Sequence, residues 1–350
     1  MPKTLSTLLV VVALVLAACA DAGSSAPDDD ASSAAGASGT PTDTSQLVVY
    51  SGRGEDLIGP LLDRFTEETG IEVSVRYGGS TELATTLLQE GDSSDADVFF
   101  AQDPASLGAA APLMAELDAS IVSRVAGRFS DADGRWVGTS GRARVVIYDA
   151  NDVDASELPN SLDELVDPRW SGRMAVAPTN GSFLAFVAAM IVEQGEDYTL
   201  EWLERLAANQ PTDYPGNSPI VAATDAREVD LGLVNHYYLL RLKAEGGGED
   251  AANHFPSAGD AASLVMPAGA AILANSDQAE AAQAFVEFLL NEDSQEYFAT
   301  ETFEFPLVTG VEPAAGLPSI DEIATPDIDL SDLSDQLERA TDLVTEAGLL

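Results

Sequence analysis

The sequence predicts an α/β protein of two lobes with a ligand cleft between them. Short apolar strands alternate with amphipathic helices over residues 46–100, in the order βαβαβ. This order gives a parallel sheet with helices on both of its faces. The chain after residue 45 holds about 300 residues, which is too long for one simple core and indicates two lobes.

The first elements follow directly from residue patterns. QLVVY (46–50) is a buried strand, and GEDLIGPLLDRFTEETG has apolar residues at helical spacing and closes on Gly70. IEVSVRY alternates like a strand, and residues 78–81 (GGST) break it and cap the helix ELATTLLQEG. DADVFF is the third strand, which completes the βαβαβ unit.

The later elements predict how the lobes are joined. GRARVVIYD (141–149) is a strand, ASLVMPAGAAILA (262–274) contains two more strands, and a last helix runs from about Leu330 to Ala347. We expect the lobes to be linked by two extended crossings, near residues 141–149 and 262–273. The predicted lobes are therefore discontinuous: residues 46–142 plus 265–316 form lobe 1, and residues 143–264 plus 317–350 form lobe 2.

The N-terminus predicts export and a lipid anchor. Lys3 is the only charge before LLVVVALVLAACA, an apolar run that is short for a membrane span and ends in small residues before Cys19. This pattern resembles a bacterial lipobox, which implies a signal peptide at residues 1–18 and lipidation of Cys19. An ordinary signal peptide is the other interpretation. Residues 19–45 have almost no large apolar side chain and are expected to be a flexible tether.

Charge and composition exclude some functions. With 59 acidic and 16 basic residues the formal net charge is −43, so nucleic acid is not expected as a partner. Most of the acidic residues are expected to be a solvated surface. A catalytic site is not indicated either, because the two histidines and single cysteine belong to no nucleophile or metalloprotease motif.

An adjacent tyrosine pair, Tyr237 and Tyr238, stands where an apolar strand ends and a helix begins. Side chains of neighbouring helical residues point about 100° apart and do not normally face one target. At the first turn beside a cleft, however, both hydroxyls can converge on one ion, and phenolate oxygen suits a hard trivalent cation. Packing of one ring in the core is the other interpretation. His236 is expected to hydrogen-bond the scaffold, and Tyr148 to be structural.

Small polar loops before helices are candidate anion sites. Asn180, Gly181 and Ser182 lie between a strand and a helix, where exposed backbone amides can bind an anion. An N-cap and turn would explain the same residues. The loops GNSP (216–219) and GGST (78–81) have the same ambiguity. Arg53, after the first strand, could neutralise an anion in the cleft or form a surface ion pair.

Several segments in order carry a family resemblance: LVVYSGRGE, FTEETGIEVSVRYGGSTELATTLLQEGDSSDADVFFAQD, SGRARVVIYD, DPRWSGRMAVAPTNGSF, GLVNHYYLLRL, AAQAFVEFLLNEDSQEYF and EAGLL. Together they resemble the iron(III)-binding, substrate-binding proteins of bacterial ABC importers, which have the type II periplasmic-binding-protein fold. The resemblance covers the chain from about residue 46 to the C-terminus. Each segment alone is weak, whereas their order is specific.

The resemblance implies a ligand set. It implies that Tyr237 and Tyr238 bind Fe(III), as the adjacent tyrosine pair does in that family. Several members also bind a synergistic anion such as carbonate or phosphate. The residues that they use for it match Asn180, Gly181, Ser182, Asn217 and Asn235 here.

This sequence also departs from the family pattern. Gly54 stands where some members have a histidine, Gln102 stands where they have a glutamate, and the third tyrosine of other members, near TNGS, is missing. We therefore expect an anion, waters or a nearby carboxylate such as Glu55 or Asp103 to complete the coordination of the ion. Arg53 would then balance the charge of the anion.

The predicted function is that of a lipid-tethered receptor at the outer face of the cell membrane. It is expected to be a monomer that captures Fe(III) and delivers it to an ABC permease driven by an ATPase. A receptor of the same fold for a polyamine, an organic anion or another metal is the first alternative. A cell-surface enzyme is the second, and it lacks a recognisable nucleophile or base.

Overall fold

The computed structural model describes residues 46–350, which form ten strands and twelve α-helices joined by short 3-10 turns. The strands are β1 (Leu47–Ser51), β2 (Val73–Tyr77), β3 (Val98–Ala101), β4 (Val137–Asp149), β5 (Met174–Val176), β6 (Thr212–Asp213), β7 (Leu231–Asn235), β8 (Ala251–His254), β9 (Val265–Ile272) and β10 (Phe305–Pro306). The helices are α1 (Glu55–Thr69), α2 (Ser80–Glu90), α3 (Pro104–Ala110), α4 (Ala119–Val122), α5 (Leu162–Leu165), α6 (Gly181–Gln194), α7 (Glu196–Ala208), α8 (Asn217–Asp225), α9 (Tyr237–Ala244), α10 (Ala279–Leu289), α11 (Glu292–Thr300) and α12 (Leu333–Glu346).

The predictions for the N-terminus concern a part of the chain that the structure does not describe. The signal peptide (1–18), the tether (19–45) and the lipidation site Cys19 all lie outside the described residues. None of the helices within residues 46–350 is long and apolar enough to cross a membrane.

A single mixed sheet of ten strands organises the fold. Its order is β2-β1-β3-β9-β4-β7-β5-β6, and β8 and β10 also pair with β4. β1 pairs with β2 and β3 in parallel, and β5 pairs with β6 and β7 in parallel. The two parallel groups are joined by β4 and β9, which are antiparallel to each other and to their neighbours. The α/β prediction is confirmed, and the predicted crossings coincide with β4 and β9.

Local sequence explains the helices that flank the sheet. In α1, the buried residues Ile58, Leu61, Leu62 and Phe65 recur at helical spacing and face the core. The helix ends at Gly70, whose φ of 73° is in the left-handed region that favours glycine. The predicted closing residue is therefore the observed one.

The core consists of four clusters of buried side chains. Two clusters are built chiefly from β1–β3 and from helices α1, α2, α10 and α11. The other two are built chiefly from β5, β7 and helices α6–α8, with α12 added. All of these residues nevertheless belong to one compact unit. The grouping of the four clusters into two pairs follows a two-lobed arrangement. The lobe boundaries, 46–142 plus 265–316 and 143–264 plus 317–350, stay a prediction.

Within residues 262–274 the structure has one strand, β9 (Val265–Ile272), where the sequence predicted two. The prediction of two strands was wrong, although a proline inside a strand removes one ladder hydrogen bond. Pro267 pairs with Gly141 of β4, but the pairing of β9 with β3 begins only at Gly269. The missing N–H of Pro267 therefore lies where β9 has one paired edge, and the strand continues through it.

The joint between β4 and β9 requires a glycine. A Cβ atom on Gly269 would lie 2.8 Å from the carbonyl oxygen of Val137 and 2.8 Å from Leu107 Cδ1. We expect Gly269→Ala to lower the free energy of unfolding by about 1–3 kcal/mol, because backbone would have to shift. Urea denaturation measures this loss. Gly127→Ala is the control, since a Cβ there meets nothing within 4 Å; equal stability of both variants would contradict the prediction.

Candidate metal and anion site

A cavity of about 480 Å³ lies at the carboxyl ends of β3, from one parallel group of the sheet, and of β5 and β7, from the other. Gln102 and Asp103 follow β3, the loop before α6 follows β5, and the tyrosine pair follows β7. The carboxyl ends of parallel strands are the usual ligand position in such sheets. The lining residues are Thr81, Gln102, Asp103, Arg142, Asn180, Gly181, Ser182, Leu184, Ala185, Asn235, Tyr237, Tyr238, Met266, Leu337, Glu338 and Thr341.

The tyrosine pair lines this cavity with both side chains. Tyr237 is 4% exposed and Tyr238 is half-buried, and their rings stack with centroids 4.3 Å apart and planes 27° apart. The stacking brings two neighbouring side chains to the same cavity, although ideal helical directions would separate them. Burial raises the pKa of Tyr237 above its usual value, and the charge of Tyr238 adds to the rise, while Arg142 opposes it. Packing and access to a ligand are thus combined in one pair.

His236 belongs to the scaffold, as expected. Its Nδ1 accepts a hydrogen bond from the backbone N–H of Ala143 at 3.2 Å, and its Nε2 donates to the carbonyl of Phe303 at 2.8 Å. Burial lowers the pKa of His236 to about 4, so the imidazole is neutral. These two bonds fix the start of α9, and with it the tyrosine pair, to β4 and to the chain before β10.

Four of the residues predicted to bind an anion form one hydrogen-bond network. Asn180 caps α6 by accepting from the Ser182 N–H at 3.0 Å and from Ser182 Oγ at 2.6 Å. The amide of Asn217 donates to Asn180 Oδ1 and to Ser182 Oγ, each at 3.2 Å. Asn217 Oδ1 accepts from the N–H of Asn235 at 3.2 Å. Gly181, the fifth residue, begins α6 and also lines the cavity.

Arg144 joins this network and was not identified from the sequence. Its Nη1 donates to Ser182 Oγ at 3.1 Å and to Asn235 Oδ1 at 3.3 Å, while Nη2 has no hydrogen-bond partner among the described residues. Arg144 is 2% exposed, and burial lowers its pKa to about 10. A buried guanidinium with a free N–H group needs an additional acceptor.

Arg142 is a second cation that the sequence analysis missed. It lines the cavity at 4% exposure, and its Nε and Nη2 lack hydrogen-bond partners within residues 46–350. Arg142 and Arg144 stand at alternate positions of β4, in SGRARVV, and alternate residues of a strand share a face. Two arginines on one face of an otherwise buried strand were the signal that could have found them.

Arg53 is held by a carboxylate instead of facing the cavity. It is 1% exposed, its Nη1 donates to Glu304 Oε1 at 2.8 Å and to Gln102 Oε1 at 3.3 Å, and its Nη2 contacts the other oxygen of Glu304. Arg53 is not among the lining residues. Its predicted anion role stays a prediction, and Arg142 is the arginine that lines the cavity.

Glu304 joins the arginines into one buried cluster. It is 1% exposed and also accepts from Ser140 Oγ at 2.9 Å, and Arg142 Nε lies 3.9 Å away. Burial alone would raise the pKa of Glu304, but Arg53, Arg142 and Ser140 together lower it to about 2. Glu304 is therefore ionised, and it compensates only part of the positive charge around β4.

The carboxylates proposed to complete a metal site differ in position. Asp103 lines the cavity, but it also caps α3, since its oxygens accept from Ser106 N at 2.7 Å and Ser106 Oγ at 3.1 Å. Glu55 and Gly54 are not among the lining residues, whereas Gln102 is. In the described part of the chain, no three His, Cys, Asp or Glu side chains are grouped closely enough to hold a metal ion.

Comparison with known proteins identifies relatives along most of the chain. Residues 93–331 match the family model of bacterial extracellular solute-binding proteins. The Fe(3+)-binding periplasmic protein of Serratia marcescens is 34% identical over 310 residues, which cover 87% of this chain and 90% of that protein. Iron-bound HitA from Pseudomonas aeruginosa is 33% identical with a TM-score of 0.78, over 87% of this chain and 99% of that one. Trichodesmium IdiA (FutA), solved with iron and citrate ligands, is 26% identical with a TM-score of 0.78 over the same shares.

The buried Glu304 gives a prediction for stability. Glu304→Gln should lower the free energy of unfolding at neutral pH by about 3–5 kcal/mol, because Arg53 would keep a buried charge without its partner. The pKa is about 2 in the folded protein against an ordinary value of 4.5. The wild type therefore has the full contribution of this carboxylate above pH 4.5 and loses it as the pH falls toward 2.

Urea denaturation at several pH values measures this effect. The difference between wild type and Glu304→Gln should be largest at neutral pH and shrink between pH 4.5 and 2. Glu301→Gln, at an exposed neighbouring position, is the control and should behave like the wild type. A pH-independent difference would show that Glu304 does not act through its charge.

Proposed function

The chain belongs to the family of bacterial extracellular solute-binding proteins, and we propose that it captures Fe(III) together with a small anion in the cavity beside Tyr237 and Tyr238. The observation that carries this proposal is the stacked tyrosine pair, which faces the same cavity as a buried network with unpaired guanidinium nitrogens. Relatives named for ferric iron, such as the Serratia marcescens protein, support iron as the cargo.

Phenolate chemistry explains why the tyrosine pair suits this cargo. A phenol in this environment keeps its proton near neutral pH, because burial raises the pKa of Tyr237. A trivalent cation supplies the positive charge that displaces the proton, and phenolate oxygen is a hard donor. Each phenolate formed releases one proton, so affinity for iron falls as the pH falls.

The anion couples to the iron through charge. Arg142, which lines the cavity, and Arg144, behind Ser182 and Asn235, would repel Fe(III) on their own. An anion in the cavity would reverse the sign of this interaction. It would accept hydrogen bonds from Arg142 and from amides at the N-terminus of α6, and it would present an oxygen to the metal. Iron and anion are therefore expected to bind together.

Carbonate and phosphate are the anions that this arrangement supports. Both present several oxygens, so that one part can face the network of Asn180, Ser182 and Asn235 while another part faces the metal. The tyrosine pair and the anion fill part of an octahedral shell. Water or a carboxylate such as Asp103 takes what is left, since the matching histidine and glutamate are replaced by Gly54 and Gln102.

The protein is proposed to act as a receptor and not as an enzyme. It would be a monomer tethered by a lipid on Cys19 at the outer face of the cell membrane, or periplasmic, and would deliver iron to an ABC permease driven by its ATPase. The lipobox-like LAAC at residues 16–19 and the polar segment that follows support the tether. Binding and release need no covalent chemistry.

The charge of the cavity separates this proposal from the alternatives. A polyamine would require acidic groups around it, whereas Arg142 lines the cavity and Arg144 lies behind Ser182 and Asn235. An organic anion would suit the arginines but would leave the tyrosine pair without a role. Fe(III) with an anion uses both halves of the site.

Removal of the tyrosine hydroxyls tests the metal half of the site. Wild-type protein without the tether should develop a visible phenolate-to-iron charge-transfer band that saturates at one Fe(III) per chain when carbonate is present. Tyr237→Phe and Tyr238→Phe should each lose or shift the band, because each removes one phenolate oxygen. Tyr148→Phe, on β4 but outside the cavity lining, is the control. A wild-type protein without a band in any anion would contradict the proposal.

Removal of the Arg142 charge tests the anion half. The readout is the carbonate concentration at which the iron band reaches half of its maximum intensity. Arg142→Leu should raise this concentration by at least about tenfold, because a hydrogen bond to a charged group contributes about 1.5–3 kcal/mol. Arg205→Gln, which removes an exposed cation of α7, should leave this concentration unchanged. The same carbonate dependence in both variants would show that Arg142 does not bind the anion.

A further inference from the structure

The C-terminal helix α12 forms part of the cavity wall. Leu337, Glu338 and Thr341 all line the cavity that contains the tyrosine pair. They lie within one turn of α12, so that one face of the helix meets the cavity. The described lining residues include two carboxylates, those of Asp103 and Glu338. Asp103 follows the strand β3, whereas Glu338 comes from the helix α12.

The position of α12 is set by contacts on both sides of the cavity. Its buried residues Leu333, Ala340, Leu343 and Val344 belong to the same core cluster as α6, whose N-terminus faces the cavity. At its other end, α12 meets α3, the helix that begins next to Asp103. A Cβ atom on Gly108 of α3 would lie only 3.0 Å from the Ser331 carbonyl oxygen, just before α12. These contacts place α12 against the cavity.

Two carboxylates line the cavity, and they are not equally free. Asp103 accepts two hydrogen bonds from Ser106 as the cap of α3. Glu338 is exposed, and its carboxylate takes part in no hydrogen bond or ion pair with any residue of 46–350. The neighbouring Arg339 is paired with Glu196 instead. Glu338 is thus the carboxylate that can turn to a ligand without breaking an existing contact.

We propose that Glu338 completes the donor set for the Fe(III) cargo, binding the metal from α12 at the solvent side of the cavity. The inference rests on the proposed function and extends it to a residue for which the family resemblance gives no role. A carboxylate is an anionic, hard oxygen donor like the two phenolates. It would supply charge and an oxygen that Gly54 and Gln102 cannot supply.

The proposal also has an electrostatic basis. Arg142 lines the same cavity, so a carboxylate that turns into the cavity moves toward a cation as well as toward the metal. Iron held in this way would contact both the tyrosine pair, which follows β7, and Glu338 of α12. The bound iron would then stabilise the position of the C-terminal helix against the cavity.

Glu338→Gln tests this role, with Asp342→Asn as the matched control. Asp342 is an exposed acidic residue one turn further along α12 and does not line the cavity. Both variants remove one negative charge from the same helix, and neither position is buried. The measurement is the visible iron band with carbonate present, followed by competition for the iron with nitrilotriacetate.

Glu338→Gln should keep a phenolate-to-iron band, because both tyrosines remain, but the band should shift in wavelength. The nitrilotriacetate concentration that removes half of the iron should be lower than for the wild type by about tenfold or more. This is the effect expected for the loss of one charged contact. Asp342→Asn should match the wild type in both readouts. Identical behaviour of the two variants would overturn the role of Glu338 while leaving the tyrosine site intact. A wild type without any band would instead overturn the proposed function, and this inference with it.

Discussion

The burial of positive charge around β4 is the constraint on which the rest of the site depends. The chain has 16 basic residues against 59 acidic ones, yet Arg53, Arg142 and Arg144 are all at most 4% exposed. Glu304 compensates Arg53 and only approaches Arg142. Burying a charge without a partner is costly. A site of this kind is stable when something anionic lies against the remaining guanidinium nitrogens, and it therefore selects for a ligand that carries negative charge.

This constraint connects the fold to the proposed chemistry. β4 runs through the middle of the sheet and presents Arg142 and Arg144 where β7 delivers the tyrosines and β5 delivers the N-terminus of α6. His236 ties these elements together through bonds to β4 and to the segment that leads to Glu304. In the proposed function, a metal that arrives with an anion would satisfy the arginines and the phenols in one event. Either component alone would leave one half of the site unfavourable, which accounts physically for their expected cooperation.

Local signals in the sequence were sufficient for part of this picture. The βαβαβ order predicted the parallel pairing of β1 with β2 and β3. Small polar residues indicated the two strand-to-helix junctions, before α6 and α8, that Asn180, Ser182 and Asn217 connect by hydrogen bonds. Features that depend on distant pairing were missed. Arg53 pairs with Glu304, which is 251 positions away in the sequence. No local pattern indicates that these two residues form an ion pair. The arginines of β4 share one face of the strand, which is a local signal, but the groups that they meet come from distant parts of the chain. The position of Glu338 at the cavity likewise depends on where α12 packs against the rest of the chain. The continuity of β9 through Pro267 depends on which edge of the strand is paired at that residue.

Crystals of the tether-free protein grown with Fe(III) and carbonate, with diffraction measured on both sides of the iron absorption edge, would test the central claim most directly. The account predicts one anomalous peak per chain, within bonding distance of both the Tyr237 and Tyr238 oxygens, with an anion between the metal and Arg142. A peak that contacts neither tyrosine, or iron-loaded crystals with the cavity free of metal, would contradict it.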